Sequence, residues 1–438
     1  MAIRHILALV SAGTLALGVA ATPAAAHPAV QHDEQIEYNR TSTYADWAKG
    51  SSQGVFNIPG LRTGVTMGLP AGQTQYTDPH NGTTASWDYS TWTSPVHHIG
   101  FGASEVVSSW NADTPAGTWL KVELYGTYSN GAHTPWYTMG IWAKGDGDII
   151  RTSVDDQGDP YSTIWTDTFA IDDPSAGVLL TDYQLRLTLY KKPGQLARPR
   201  VWELGAFASN VPDRFTVTPS AGHIAWGTEL AVPAYSQNIH SGEYPEYDGG
   251  GEAWCSPTST QMVVSYYGYH PDTSWVDPSY ADPQVDAAAR GTYDSQYPGT
   301  GNWPFNTAYA ASYLGLDAIV TQMHSLDEVE VFIKHGIPVV VSLSFLASEL
   351  DGSNYSTSGH LFVIVGFTST GDVIVNDPAS SSDSVVRNIY KRSQLETVWL
   401  RTKRVRASGT IGSGSGGVAY LIKPWYKPWP TVPGSNNW

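Results

Sequence analysis

Between residues 35 and 208 the chain alternates apolar and polar side chains. TWLKVELYGTY at 118–128, PWYTMGIWA at 135–143, YSTIWTDTFAI at 161–171, DYQLRLTLYK at 182–191 and RVWELGAFA at 200–208 repeat with period two, the spacing of a strand with one buried face. SNGAHTP, KGDGD and DDPSAG separate the runs with residues that turns favour. Helical periodicity is nearly absent. The pattern predicts an all-β sandwich or jelly roll over 35–208, read as an accessory domain.

The texture then changes. SNVPDRFTVTPSAG at 209–222 holds two prolines and no sustained period, which marks a linker. Beyond it, SLDEVEVFIKHG carries Ser325 with Glu328 three residues on, a capping box, then one apolar face and Gly336 as a stop. GIPVVVSLSF, HLFVIVGF and DVIVND are continuous apolar runs, expected where both faces of a sheet are covered. Residues 223–425 therefore read as an α+β domain. It ends in a Gly/Ser loop and a last strand, GSGSGGVAYLI, followed by an extended, proline-punctuated tail over 426–438.

The N-terminus adds a location. Arg4, the apolar run Ile6 to Ala21 and Ala24-Ala25-Ala26 form a signal peptide over 1–26. No later run is apolar for the roughly 18 residues a membrane helix needs. The mature chain is expected outside the cell, released or wall-associated, with no membrane span. With 40 acidic against 24 basic residues and a formal charge of −16, nucleic acid is excluded as a natural partner, because binding a polyanion needs clustered positive charge. The 17 Trp and 25 Tyr suit peptides, sugars or wall polymer instead.

Export makes the cysteine count informative. Secreted chains ordinarily use cysteines in pairs, yet Cys255, in GGGEAWCSPTSTQM at 249–262, is the only one. It is an intermolecular bridge, a small buried hydrophobe or a reactive group. Pro257, then Met262, Val263, Tyr266 and Tyr267 at helical spacing, and Gly268 as a stop predict a helix starting at Cys255. Free backbone N–H groups at a helix start favour an anion. Glycines 249–251 just before it give a mobile or close-approach segment. A thiol nucleophile needs a base, and His360 opens the apolar run GHLFVIVGF. The base needs an orienting acceptor, and VIVNDP places Asn376 and Asp377 at the end of the next strand.

VPAYSQ, WCSPTSTQMVV, GHLFVIVGF, VIVNDP and the closing SGGVAYLIKP, arriving in that order over about residues 230 to 423, resemble the bacteriocin-processing-type (double-glycine peptidase-like) cysteine peptidases of the papain-like superfamily. The resemblance implies a papain-like fold, Cys255 as nucleophile, His360 as general base, Asp377 as the residue orienting it and Gln237 in the oxyanion hole. It implies no metal or organic cofactor and a peptide or protein substrate, with cell-wall peptide one candidate. The family usually has Gly where this chain has Ser256, which bears on the backbone angle after the nucleophile. Two alternatives stand beside this reading. One is a wall-peptide amidase or acyl transferase with the same triad, the other a non-catalytic wall- or carbohydrate-binding protein with an inactive peptidase-like domain.

Weaker signals have ordinary explanations. His97-His98 and Asp146, Asp148, Asp155, Asp156 and Asp159 invite a metal, but the alternation of a calcium loop fails after Asp148, so hairpin turns are expected. Trp110, Trp119, Trp136, Trp142 and Trp165 would suit carbohydrate contact, although Trp in a sandwich is ordinarily core. Arg401, Lys403, Arg404 and Arg406 are expected on a solvated strand edge.

Overall fold

In the first half, alternation becomes antiparallel pairing. The computed structural model describes residues 34–438; the signal peptide expected over 1–26 lies outside them. One seven-stranded sheet runs in the order Ser162–Trp165, Thr168–Ile171, Glu105–Asp113, Arg200–Asn210, Gly64–Met67, Val55–Ile58, with Gln35–Thr41 also on Arg200–Asn210. A second runs Tyr137–Trp142, Thr118–Tyr128, Leu180–Lys191, Thr84–Thr93, Ser51–Gln53, with two further strands on its members. Val106, Trp110 and Leu204 from one sheet and Val122 and Leu187 from the other belong to one apolar core, so the faces that the alternation marks as buried are shared.

Two local features depart from the pattern. YSTIWTDTFAI is a hairpin rather than a single strand, turning at Thr166 with φ 57°. A short helix, α1 (Tyr44–Lys49), lies where no period was visible, because six residues are too few to show one. A capping box between Thr43 and Asp46 starts it. Trp110, Trp119 and Trp142 are buried as core, whereas Trp165 is 65% exposed. The acidic and histidine groups serve pairs and turns: His97 meets Glu37 at 2.6 Å, Asp146 meets Arg290 at 2.7 Å, and Asp159 accepts from the N–H groups of Tyr161 and Ser162.

A third seven-stranded antiparallel sheet forms the second half. Its order is Leu316–Gln322, Val418–Pro424, Val339–Phe345, Thr357–Phe367, Val373–Asn376, Arg387–Tyr390, with Thr228–Glu229 on Thr357–Phe367. All seven residues of Val339–Phe345 are buried, which explains their unbroken apolar run. Around the sheet stand α2 (Cys255–Tyr266), α3 (Pro283–Thr292), α4 (Trp303–Ala311), α5 (Leu326–Lys334) and α6 (Arg392–Leu400). The last strand in sequence, Val418–Pro424, lies inside the sheet rather than at its edge. No helix among the described residues is long and apolar enough to cross a membrane.

Two expectations need correction, and the tail adds a contact to its expected extended form. Ser325 precedes α5 but makes no capping bond, because Glu328 accepts from the His324 N–H at 2.8 Å and pairs with its imidazole at 2.9 Å. The basic group at 401–406 is a solvated edge only in part, with Arg406 exposed and Lys403 half-buried. Arg401 and Arg404 are buried, Arg401 holding Glu349 at 2.6 Å and donating to the Ser344 carbonyl. The tail has no helix or strand yet is docked: the Tyr38 N–H donates to the Asn436 carbonyl at 2.8 Å, and Trp438 packs on Phe332 at 5.0 Å.

Between Asn210 and Thr228 the chain forms neither helix nor strand ladder, but the halves on either side share their cores. Tyr38, Val107 and Phe207 join the second half's cluster, and Phe305, Ala308 and Tyr309 of α4 join the first half's. Phe305 stands 5.4 Å from Trp142 and 6.2 Å from Trp110. The edge strand Leu316–Gln322 donates the Val320 N–H to the Ser109 hydroxyl at 2.9 Å and the Ala318 N–H to the Asn111 amide oxygen at 3.2 Å. The first half thus covers an edge that would otherwise offer open hydrogen-bonding groups.

Candidate active site

Cys255 is the first residue of α2, half-buried and without a disulfide partner. Two serines of its first turns, Ser256 and Ser259, fix the helix on the sheet. The Ser259 hydroxyl donates to the Leu361 carbonyl at 3.1 Å, and the Ser256 hydroxyl pairs with that of Tyr420 at 2.9 Å. Ser256 is helical and is not among the residues with positive φ. Serine in place of the family's glycine therefore costs no backbone strain, and its hydroxyl is satisfied where it is buried.

Because Ser259 bonds the residue after His360, it ties the thiol's helix to the imidazole's strand. His360, near the start of Thr357–Phe367, is 4% exposed. Its Nε2 lies 2.9 Å from Asp377 Oδ1, and Cys255 is near enough to act on the ring's charge. Burial alone disfavours the imidazolium, but the Asp377 charge and hydrogen bond, aided by Cys255, outweigh it and push His360 up to about 10. Asp377 is held below the carboxylate range: burial works against its charge, and the His360 charge and hydrogen bonds prevail. Those bonds come from Tyr355 at 2.9 Å and Tyr390 at 2.8 Å, both to Oδ2, and from the Ala379 N–H to Oδ1 at 3.0 Å. Burial, then the Asp377 charge, raise both tyrosines far above their ordinary range, so each remains a donor. The antiparallel pairing of Thr357–Phe367 with Val373–Asn376 brings His360 and Asp377 together. Asn376, the other acceptor in VIVNDP, turns away and donates to the Val232 and Pro233 carbonyls at 3.1 Å.

Gln237 completes the group that the sequence singles out. It is buried, and its Nε2 donates to the Glu252 carbonyl at 2.6 Å, leaving one amide N–H uncommitted. Gly251 makes this approach feasible, since a Cβ there would stand 2.3 Å from the Gln237 carbonyl oxygen. Of the two roles open to glycines 249–251, close backbone approach is the one Gly251 fills. Cys255, His360 and Gln237 all line one cavity of about 870 Å³.

Residues 37–209 match the family profile of the peptidase C39 N-terminal domain, and residues 229–407 match that of the peptidase C39-like family. The chain belongs to the C39-like peptidases. Among solved structures, one described as a C39-like peptidase from Bacillus anthracis is 17% identical with a TM-score of 0.28, covering 46% of this chain and 99% of that one. No curated protein matches.

In this C39-like chain the cavity has a wall that the sequence pattern did not announce. Glu105, Trp165, Asp167 and Thr168 of the first half line it together with the half that carries Cys255 and His360. Tyr355 and Tyr390 likewise carried no signal, since neither lies in a block that the chemistry marked. One group among the described residues has the donors of a metal site: His240, Glu243 and Asp286, whose ligand atoms lie within 4.8 Å of one another. His240 Nδ1 lies 2.7 Å from Glu243 and 3.5 Å from Asp286. Burial opposes its charge, but the hydrogen bonds and charges of Asp286 and Glu243 outweigh it and raise its pKa.

Proposed function

We propose that the protein is an exported cysteine peptidase that hydrolyses peptide amide bonds in a papain-like domain, with Cys255 as nucleophile, His360 as acid and base, Asp377 as its orienting carboxylate and Gln237 as oxyanion donor. One observation carries this reading: the buried His360 imidazole is bonded to the Asp377 carboxylate and lines, with Cys255, one substrate-sized cavity. Membership of the C39-like peptidases and the exportable first 26 residues support it.

The chemistry follows from that placement. His360 takes the thiol proton, and the imidazolium is stabilised by Asp377. The sulfur attacks the carbonyl carbon, and the oxygen's developing charge meets the Gln237 amide N–H and the Cys255 backbone N–H. His360 then protonates the departing amine as the C–N bond breaks, leaving a thioester. Water, deprotonated by His360, attacks that thioester and releases the acid and the thiol.

Iodoacetamide labelling and turnover test the proposal together. Cys255 should alkylate in the folded protein near neutral pH, and Cys255→Ala should abolish cleavage of casein or a wall-peptide substrate. Unchanged cleavage would remove Cys255 as the nucleophile, and an inert thiol would favour the non-catalytic binding protein.

A further inference from the structure

We propose that the cleft beside Cys255 binds a cationic side chain of the substrate, an ammonium or guanidinium, on carboxylates supplied by both halves of the chain. The inference deepens the peptidase reading and rests on it for the scissile bond's place in this cleft. Glu105, Asp167, Asp248 and Glu252 all line the cavity, no lysine or arginine does, and the imidazole there, His360, is already paired with Asp377. Each carboxylate is met by neutral donors. Asp167 accepts from the Trp303 N–H at 2.7 Å and the Thr168 hydroxyl at 2.9 Å; Asp248 accepts from the Thr300 N–H at 3.0 Å. Glu252 accepts from the Ser241 hydroxyl, and Glu105 from the Gln322 amide at 3.5 Å, with the Lys403 charge also acting on Glu105.

Several buried acids elsewhere are given a guanidinium instead, although Glu396 and Asp294 have only neutral donors. Glu203 has Arg40 at 2.9 Å, Glu123 has Arg186 at 2.8 Å, and Glu330 has Arg392 at 2.7 Å. Neutral hydrogen bonds orient a carboxylate without cancelling its charge, and removing such a charge from water is costly unless a cation meets it. Asp167 is only 7% exposed, and the fully buried Asp294 adds a second negative charge nearby. Burial first, with Asp294 contributing, lifts Asp167 to about 6; burial also raises Asp248 and Glu105. A cation entering the cleft would relieve this cost. Trp165, 65% exposed two residues before Asp167 on the same hairpin, offers a ring face to a cation or to the aliphatic stem carrying it. That hairpin belongs to the first half, which makes this half a part of the binding site.

The test uses the full chain carrying Cys255→Ala and two sets of blocked alanine hexapeptides, with one lysine or one norleucine placed at each position in turn. Calorimetry should show at least one lysine peptide binding about tenfold or more tightly than its norleucine counterpart. Asp167→Asn should cut that preference below about threefold. Glu252→Gln, whose exposed side chain has no part in the core, should also reduce it, and Asp156→Asn on a remote turn should not. Equal binding of the two sets, or a preference untouched by both Asp167→Asn and Glu252→Gln, overturns the inference. Turnover by the unmodified protein separates this result from the peptidase reading. Cleavage without lysine preference sinks only the cationic subsite. Lysine-selective binding with no cleavage and no Cys255 alkylation sinks only the peptidase.

Discussion

Asp377 stands behind His360 and Asp167 lines the cleft itself, and the protein treats the two in opposite ways. Asp377, behind His360, has an imidazole at 2.9 Å, two tyrosine hydroxyls and a backbone N–H, and its carboxyl is held below the ordinary range. Asp167, on the wall that the first half provides, has only the Trp303 N–H and the Thr168 hydroxyl, and burial pushes it up to about 6. Burial penalises both charges. The cation decides between them: one aspartate has its partner built into the fold, and the other is left to find one from outside. A fixed pair positions a reacting group, whereas an unfilled carboxylate is a binding feature.

The largest break in this comparison is expected from Asp377→Asn. The imidazole loses its orienting charge, and turnover should fall by about 10⁴-fold, as for other triads in which the acceptor no longer selects the tautomer. Stability should fall as well, by roughly 3 to 5 kcal/mol, because the buried imidazolium loses its counter-charge. The pH dependence has a definite sign. His360 is raised, so its contribution is complete below its ordinary 6.5 and fades as pH rises toward about 10. Asp377 is lowered, so its contribution is present above 3.8 and fades as pH falls below that. Urea denaturation across pH should therefore show the largest gap between the parent and Asp377→Asn between these limits, narrowing on both sides. A gap independent of pH would mean that the pair does not titrate as the geometry requires.

Tyr355→Phe and Tyr390→Phe sharpen the same contrast from the side of Asp377. Each removes one donor to a buried carboxylate, a loss of about 1.5 to 3 kcal/mol. The double variant should exceed the sum of the singles, because Oδ2 keeps one tyrosine donor until both are gone. A positioning role, as distinct from bulk packing, would appear as a lowered His360 pKa in the pH profile of turnover with KM little changed. Strict additivity with an unmoved profile would reduce the tyrosines to packing.

These tyrosines also show where sequence reading stops. Cys255 and His360 were legible as candidates because a thiol nucleophile and its base demand residue types that stand at a helix start and a strand start; the strand end offered Asn376 and Asp377 alike, and Gln237 came only from the family resemblance. The continuous apolar runs foretold strands covered on both faces, and the alternating ones foretold the two first-half sheets. Tyr355 and Tyr390 were silent because a tyrosine aimed at a buried carboxylate looks like any half-apolar residue in a strand or loop. The same holds for Arg401. Its charge suggested solvent, and only the fold reveals Glu349 waiting inside. Trp165-Thr166-Asp167 was read as the middle of one strand because alternation continues across a tight turn, so the hairpin that builds the cleft wall was hidden. Long-range pairing between the halves leaves no periodic trace in either.

Asp167→Asn is the smallest expected effect and the one that separates the two aspartates most cleanly, since its sign is reversed. An aspartate raised to about 6 binds a proton in the fold that it has already released in the unfolded chain above 3.8. Stability is therefore lost as pH rises from 3.8 through about 6, and the full cost is present at pH 7. Asparagine removes the charge while its carbonyl oxygen still accepts from the Trp303 N–H and its amide donates to the Thr168 hydroxyl oxygen. The variant should be more stable than the parent by on the order of 1 to 2 kcal/mol at pH 7, with no gain near pH 3. Denaturation at those two pH values checks it. Stabilisation at pH 7 by Asp167→Asn alongside destabilisation by Asp377→Asn would show that the wall carries a charge the fold itself does not need. A loss in both would make Asp167 a structural anchor for α4 through Trp303, and the two aspartates would no longer differ in kind.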